Sequence, residues 1–336
     1  RMPSLADAGS QLFFNGPEAF TTDRTFYLGE APEVDRCFVA SGFNSVGIQT
    51  AGGAGWVLAD WIVDGPPPMD LSGVDIRRAF PFQSERSYLE DRISESLGLL
   101  YAMHWPFRQY ESARGIRKSA LHDALNSVGA VFGETAGWER PNWFANSDQE
   151  PEYEYSYGKQ NWHENMRAEC DAVRNAVGLF DQSSFAKFLV QGREALVILE
   201  KLSANSVDVA PGRGVYTQWL NDRGGIEADL TVTRLGDDEF WVITSAASQT
   251  RDWAWLRRAC RGRDVEIFDI TEEWSVLVVM GPMSRQLLQG ISDTDLSNTN
   301  CPFGSMREIT VLSLIHISEP TRPERIGDGG VVVLKK

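Results

Sequence analysis

Paired cysteines, histidine, positive charge and long apolar runs are all scarce in this 336-residue chain, and each shortage removes a class of reading. The four cysteines, Cys37, Cys170, Cys260 and Cys301, lie far apart and form no C-x-x-C pair, which excludes the usual zinc and dithiol motifs. No metal is expected, and the thiols are expected to be buried or half-buried in a reducing, cytoplasmic compartment. No apolar run approaches the roughly 18 residues a membrane helix needs, so a soluble chain without membrane insertion is expected. Lys and Arg number 32 against 47 Asp and Glu, for a net charge of -15. Without a basic cluster, that balance argues against a nucleic-acid partner. No basic-then-apolar leader follows Arg1-Met2-Pro3, and the opening residues read like the middle of a protein. Nor does a G-x-G-x-x-G with a downstream acid occur near the beginning, so the dinucleotide fingerprint is missing.

What remains is an ordinary globular composition, 42% hydrophobic and 24% charged, in a chain longer than one core usually supports. Two or more domains are expected. Residues 37–40 form a short apolar strand pattern, followed by Gly42, Gly47, Gly52, Gly53 and Gly55, then by helical spacing over 56–63 that Gly65-Pro66-Pro67-Pro68 stops. From 80 to 144 the chain is helical in pattern and rich in aromatics, with an amphipathic stretch over 89–100. Residues 146–158, acidic and tyrosine-bearing, read as a linker, and 162–177 as a second amphipathic helix. Strands are predicted at 185–190, 239–244 and 276–280, with a helix at 193–202. β-Branched runs mixed with amphipathic helices, without strict βαβ alternation, give an α+β class.

Three places carry polar chemistry. The glycine turn gathers backbone N–H groups before a helix expected to begin after Gly53, where glycine permits close approach and the helix terminus favours negative charge. Most such turns are only tight connections. His104, between Met103 and Trp105, has the pKa class of a general base, but a packed histidine satisfied by a carbonyl is the preferred reading. Residues 216–232 read as a β-hairpin around Gly224-Gly225, with Asp229 early on the returning strand. Such an aspartate is usually a solvated turn residue; at the floor of a cavity it could handle an amine proton.

A wider pattern bears on these choices. Asn15-Gly16-Pro17-Glu18, Thr22-Asp23, the run Leu28-Gly29-Glu30-Ala31-Pro32-Glu33, Ala40-x-Gly42-Phe43-Asn44-Ser45, Gly52-Gly53-Ala54-Gly55 and Asp75-Ile76-Arg77-Arg78 together resemble the closing part of the FAD-binding domain in the dimethylglycine and sarcosine dehydrogenase family. The runs 99–106 and 133–140 resemble that family's small central joining domain. Residues 169–183, with Arg174 and Gly178-Leu179-Phe180-Asp181, and the hairpin from Tyr216 to Asp229 resemble the glycine-cleavage aminomethyltransferase fold.

The resemblance implies flavin contacts from Gly42, Phe43, Asn44, Ser45 and Gly47. It implies a tetrahydrofolate site with Asp229 as the carboxylate that promotes one-carbon transfer and Tyr216 as a pocket wall. Transferases proper show two adjacent aspartates where this chain has Ala228-Asp229, as in the dehydrogenase-fused version. The implied domains are 1–78, the end of the oxidoreductase domain; 79–145, the joint; and 146–311, an incomplete folate-binding domain. The implied activity is FAD-dependent oxidation of a small N-methyl amine, with the one-carbon unit passed to tetrahydrofolate and the electron acceptor undetermined. The family's amino-terminal half, carrying the flavin-attachment and substrate-base residues, has no counterpart here, so tight FAD retention is not expected. Two alternatives are a folate-dependent methyl or aminomethyl transferase with a vestigial flavin segment, and a non-catalytic piece.

The stretch 312–322, L-S-L-I-H-I-S-E-P-T-R, reads as the translation of a sequencing-library adaptor. It follows a strand left unfinished at Val311, so 312–336 is expected to be a non-native tail and His316 to have no role.

Overall fold

Alternation along the strands sets the architecture of the second half. In the computed structural model, which describes Pro3, Gly9, residues 11–311 and the strands Leu314–Pro320 and Gly330–Lys335, the chain opens with a hairpin. Strand β1 (Tyr27–Glu30) pairs antiparallel with β2 (Phe38–Ser41), and helix α1 (Gly47–Asp64) follows. Ala54, Val57 and Trp61 recur at helical spacing and form the buried stripe of α1, packed on Leu28. The helix therefore begins at Gly47, not after Gly53 as the glycine spacing suggested. A Cβ at Gly52, Gly53 or Gly55 would meet nothing within 4 Å, so these glycines lie on an open helix face and form no turn.

The middle section contains α2 (Arg86–Tyr101), the short α3 (His122–Ser127) and a hairpin of β3 (Ala130–Thr135) with β4 (Trp138–Phe144). Helix α2 buries Tyr88, Arg92, Ser96 and Leu99 on one side, so its inner stripe is half polar. Arg92 pairs there with Glu134 at 2.8 Å and donates to the Ser112 carbonyl at 2.8 Å, with the Tyr110 ring 4.2 Å from its guanidinium and its Nε left without an acceptor. The predicted linker is not loose. Tyr153 and Tyr155 set their rings edge-on to Trp162 at 5.1 and 6.1 Å, closing a cluster with Val131 and Trp143.

After α4 (His163–Asn175) come β5 (Gly178–Asp181), β6 (Ala186–Gln191), α5 (Ala195–Leu202), β7 (Arg213–Leu220), β8 (Ile226–Arg234), β9 (Glu239–Thr244), α6 (Gln249–Ala259), β10 (Glu266–Asp269), β11 (Trp274–Met280), α7 (Ser284–Gln289) and β12 (Arg307–Val311). The strands β13 (Leu314–Pro320) and β14 (Gly330–Lys335) lie in the suspected tail and pair into the second sheet; the rest of that tail, and its side chains including His316, lie outside the described residues. Two sheets result, ordered β10-β6-β9-β8-β7 and β12-β13-β14-β11-β5.

On one face of the first sheet, Phe188, Val190, Trp219, Leu230, Val232 and Phe240 pack against Leu199 of α5 and Leu256 of α6, forming the main core. Its other face presents Trp241 and Leu189 to Val276 and Val278 of β11. Because side chains alternate, Asp229 and Thr231 of β8 point away from the main core that Ala228, Leu230 and Val232 enter. The α+β class follows directly from this arrangement.

Candidate functional site

The glycine turn is a strained, internally braced loop. Gly42 has φ +66°, and a Cβ there would sit 2.5 Å from Thr21 Cγ2, so only glycine fits. Asn44 and Ser45 follow with φ of 48° and 67°, two consecutive non-glycine residues in the left-handed region. The buried Asn44 side chain holds them there. It accepts from Thr21 N at 2.9 Å and donates to the Gly42 carbonyl at 2.6 Å and to Thr21 Oγ1 at 3.1 Å. Phe43 stacks on Phe26 with ring centroids 4.9 Å apart.

The five residues expected at the flavin thus share one turn, but the Phe43 and Asn44 side chains face inward. Ser45 is exposed, and α1 begins after Val46 without a side-chain cap. What the turn offers outward is the backbone N–H edge of an 18-residue helix, next to Ser45.

The hairpin forms as read, with Gln218 facing Asp229 and Tyr216 facing Thr231 across β7 and β8. Tyr216 and Asp229 are therefore diagonal neighbours on one sheet face. Gln218 Nε2 donates to Asp229 Oδ1 at 3.1 Å. The carboxylate is exposed, not on the floor of a cavity, because the half of this face nearest β7 is not covered by β11.

His104 departs from expectation. Its ring is exposed and makes no hydrogen bond among the described residues, and only its carbonyl is engaged, by Tyr157 at 3.3 Å. The cysteines differ as well, with Cys37 and Cys170 exposed; Cys260 is buried, which pushes its thiol up to about 11.

Several features escaped the sequence. A cavity of about 730 Å³ opens in the joining section beside Arg114, Lys118, His122, Tyr153 and Tyr155. Burial opposes ionisation of Glu139 there, but the bonds from Arg114 and the Gly115 amide hold its carboxyl below the usual range. Helix α6 is a docking element. Arg258 meets Glu30 at 2.6 Å, Arg261 pairs with Asp35, and Arg257 reaches the Pro32 carbonyl. Within α6, burial raises Asp252 to about 6 despite a 2.5 Å bond from Thr244 Oγ1. At the far end of α1, Asp64 lies 3.5 Å from Arg223 in the β7–β8 turn. The arginines at 257, 258 and 261 were the available signal, and their partners lie too far along the chain to be found by spacing.

A family model described as the GCVT N-terminal domain matches residues 121–317, more than half of the chain, and one described as the FAD dependent oxidoreductase central domain matches 64–119. Fold and matches define an aminomethyltransferase-like domain joined to part of an FAD-dependent oxidoreductase. The chain belongs to the dimethylglycine and sarcosine dehydrogenase family. It is 46% identical, over 88% of its length, to a 4-methylaminobutanoate oxidase (formaldehyde-forming) of Paenarthrobacter nicotinovorans, of which it covers 36%. It is 32% identical, over 98% of its length, to human mitochondrial sarcosine dehydrogenase, of which it covers 40%. The chain thus spans well under half of either relative. The glycine cleavage system aminomethyltransferase T of Bartonella henselae shares the fold with a TM-score of 0.52 and 22% identity, over 66% of this chain and 54% of its own. No described helix is long and apolar enough to cross a membrane.

Proposed function

We propose that a complete protein of the relatives' length oxidises a small N-methyl amino acid with FAD and passes the one-carbon unit to tetrahydrofolate. The observation that carries this reading is the presence in one chain of two separate outward-facing features. One is an uncapped helix N-terminus behind a strained turn; the other is a carboxylate on an open sheet face. Relatives named for oxidising 4-methylaminobutanoate and sarcosine support the substrate class.

Ser45 and the backbone of Gly42 and Gly47 suit FAD, because N–H groups at a helix start stabilise negative charge, while Phe43 and Asn44 hold the turn's shape. When bound, FAD supplies the two-electron oxidation of the N-methyl group. Asp229 would hold or accept a proton at a folate amine, kept in orientation by Gln218, with Tyr216 walling the site. We place the domains at 1–78, 79–145 and 146–311, and read 312–336 as a non-native tail, which the nucleotide record can decide. A cytoplasmic location is proposed with it, consistent with four free thiols.

The test is to express a complete reading frame and follow flavin reduction by 4-methylaminobutanoate, sarcosine and dimethylglycine, with and without tetrahydrofolate. Reduction by at least one of them is expected. No reduction by any would overturn the reading, and methyl transfer without reduction would favour a folate transferase carrying a vestigial flavin segment.

A further inference from the structure

A second cavity, of about 330 Å³, lies where the first segment meets the aromatic stretch after α2. Arg24 and Arg108 line it, with His104, Trp105, Phe107 and Tyr110 among the others, and no acidic side chain is on its wall. Among the described residues neither arginine forms an ion pair. Arg108 has one weak donation, Nη1 to the Met103 carbonyl at 3.4 Å, while its Nε is buried with no acceptor at all. Arg24 contacts only the Tyr110 ring, 5.7 Å from its guanidinium.

Two of the nearby acids are engaged elsewhere. Asp23 is held by Arg78 at 2.7 Å, and Glu95 caps the amides of Glu111 and Ser112 at 2.8 Å each. A guanidinium with a buried donor and no acceptor is costly, and Arg108 is in that state, while Arg24 is exposed beside it on the wall.

The backbone adds an independent sign. Arg24 and Phe107, both on this wall, have φ of 66° and 61°, a conformation non-glycine residues rarely hold without a reason. Asn44 shows such strain braced by its own side-chain bonds; at Arg24 the turn is closed by its neighbours, Asp23 accepting from Thr25 N at 3.0 Å, and this turn sets the Arg24 side chain on the cavity wall.

We propose that this cavity is a binding site for a small oxyanion, a carboxylate or a phosphate, taken between Arg24 and Arg108 with Tyr110 and Trp105 as its apolar walls. The volume is at the lower limit for a small-molecule site, which suits a compact anion or the anionic end of a larger one. An oxyanion would accept from the Nη groups of Arg24 and Arg108, and the planar guanidinium fork matches its geometry. The site is independent of the flavin and folate reading.

The experiment is calorimetric titration of the full chain with sodium acetate and, separately, with inorganic phosphate, at constant ionic strength. Saturable one-site binding of at least one probe is expected, and the tighter of the two assigns the ligand class. Arg108→Gln and Arg24→Gln should each weaken it about 10-fold or more. Arg86→Gln, on the exposed side of α2, should leave it unchanged. Arg24 is exposed, so its variant tests the site even if Arg108→Gln misfolds. No saturable binding of either probe, or an equal loss in Arg86→Gln, would overturn the proposal.

Discussion

Asn44→Ala removes, in one step, the brace that holds the glycine turn. The wild-type amide accepts from Thr21 N at 2.9 Å, donates to the Gly42 carbonyl at 2.6 Å and bonds Thr21 Oγ1 at 3.1 Å, all in buried surroundings. Each net hydrogen bond contributes about 0.5–1.5 kcal/mol, and a buried donor left without a partner costs about 1–3 kcal/mol. Thr21 N–H would be that donor. Alanine also tolerates the left-handed φ of 48° less well than asparagine, by about 1 kcal/mol. A local destabilisation of about 3 kcal/mol follows, or roughly 100-fold at 1.36 kcal/mol per decade.

The chain has several cores, so one global unfolding energy is a poor measure. Amide hydrogen exchange resolves the site. Thr21 and Val46 amides should exchange about 100-fold faster in Asn44→Ala. Asn44→Gly, which relieves φ but restores no bond, should recover only about fivefold of that. Exchange within threefold of wild type in Asn44→Ala, or full recovery with glycine, would refute the claim that these bonds hold the turn.

Three further changes test other contacts. Burial holds Asp252 near 6 in the folded chain against about 3.8 unfolded, so its contribution to stability is greatest below pH 4 and is lost as pH rises to 6. Asp252→Asn should therefore stabilise by up to about 3 kcal/mol at pH 7.5 and by almost nothing at pH 4, read from amide exchange at Leu256 of the same helix, and an equal change at the two pH values would contradict this. Gly29→Ala puts a Cβ 2.5 Å from the Trp61 ring at a φ of +115°, and should cost about 2–3 kcal/mol in the packing of β1 on α1, read from exchange at Leu28. Arg258→Glu should loosen the α6 contact by about 1 kcal/mol, and adding Glu30→Arg should recover most of it at low salt and little at 1 M. An unrecovered loss would mean that the pair is not what docks the segment.

Strand identity was legible wherever one face is buried. The pattern of Glu239–Thr244 is bounded in the structure as in the sequence, because Phe240 and Val242 enter the main core while Trp241 enters the next. The hairpin and the opposition of its strands were likewise readable from Gly224-Gly225. The start of α1 was not, because glycine suggests a turn while Ala54, Val57 and Trp61 obtain their helix from tertiary packing. Residues 146–158 read as a linker because the partner of Tyr153 and Tyr155 is Trp162, beyond the window that composition reports. The site was legible in position and not in depth. Asp229 follows from strand register, but whether a carboxylate on a sheet face is covered depends on the second sheet. The brace between Thr21 and Asn44, like the meeting of Arg24 with Arg108, joins residues that no local pattern relates.

The placement of the two candidate sites leads to a prediction about their independence. Helix α1 has 18 residues, so at about 1.5 Å per residue it spans about 27 Å. The glycine turn is at its start, and Asp64 near Arg223 is at its end. Asp229 lies six residues past Arg223, on the open face of β8, and shares no hydrogen bond or ion pair with the turn among the described residues. Its carboxylate is exposed and screened by solvent, so its charge has little effect at the turn. In the complete protein, Asp229→Asn should lower tetrahydrofolate-dependent capture of the one-carbon unit by about 100-fold, the scale of a lost acid–base group. Gln218→Ala, which removes only the bond orienting Asp229, should cost about 5-fold. Amine-dependent flavin reduction should stay within twofold of wild type in both. If flavin reduction fell in step with folate capture, the two sites would not be separate centres, and α1 would be transmitting a change between them.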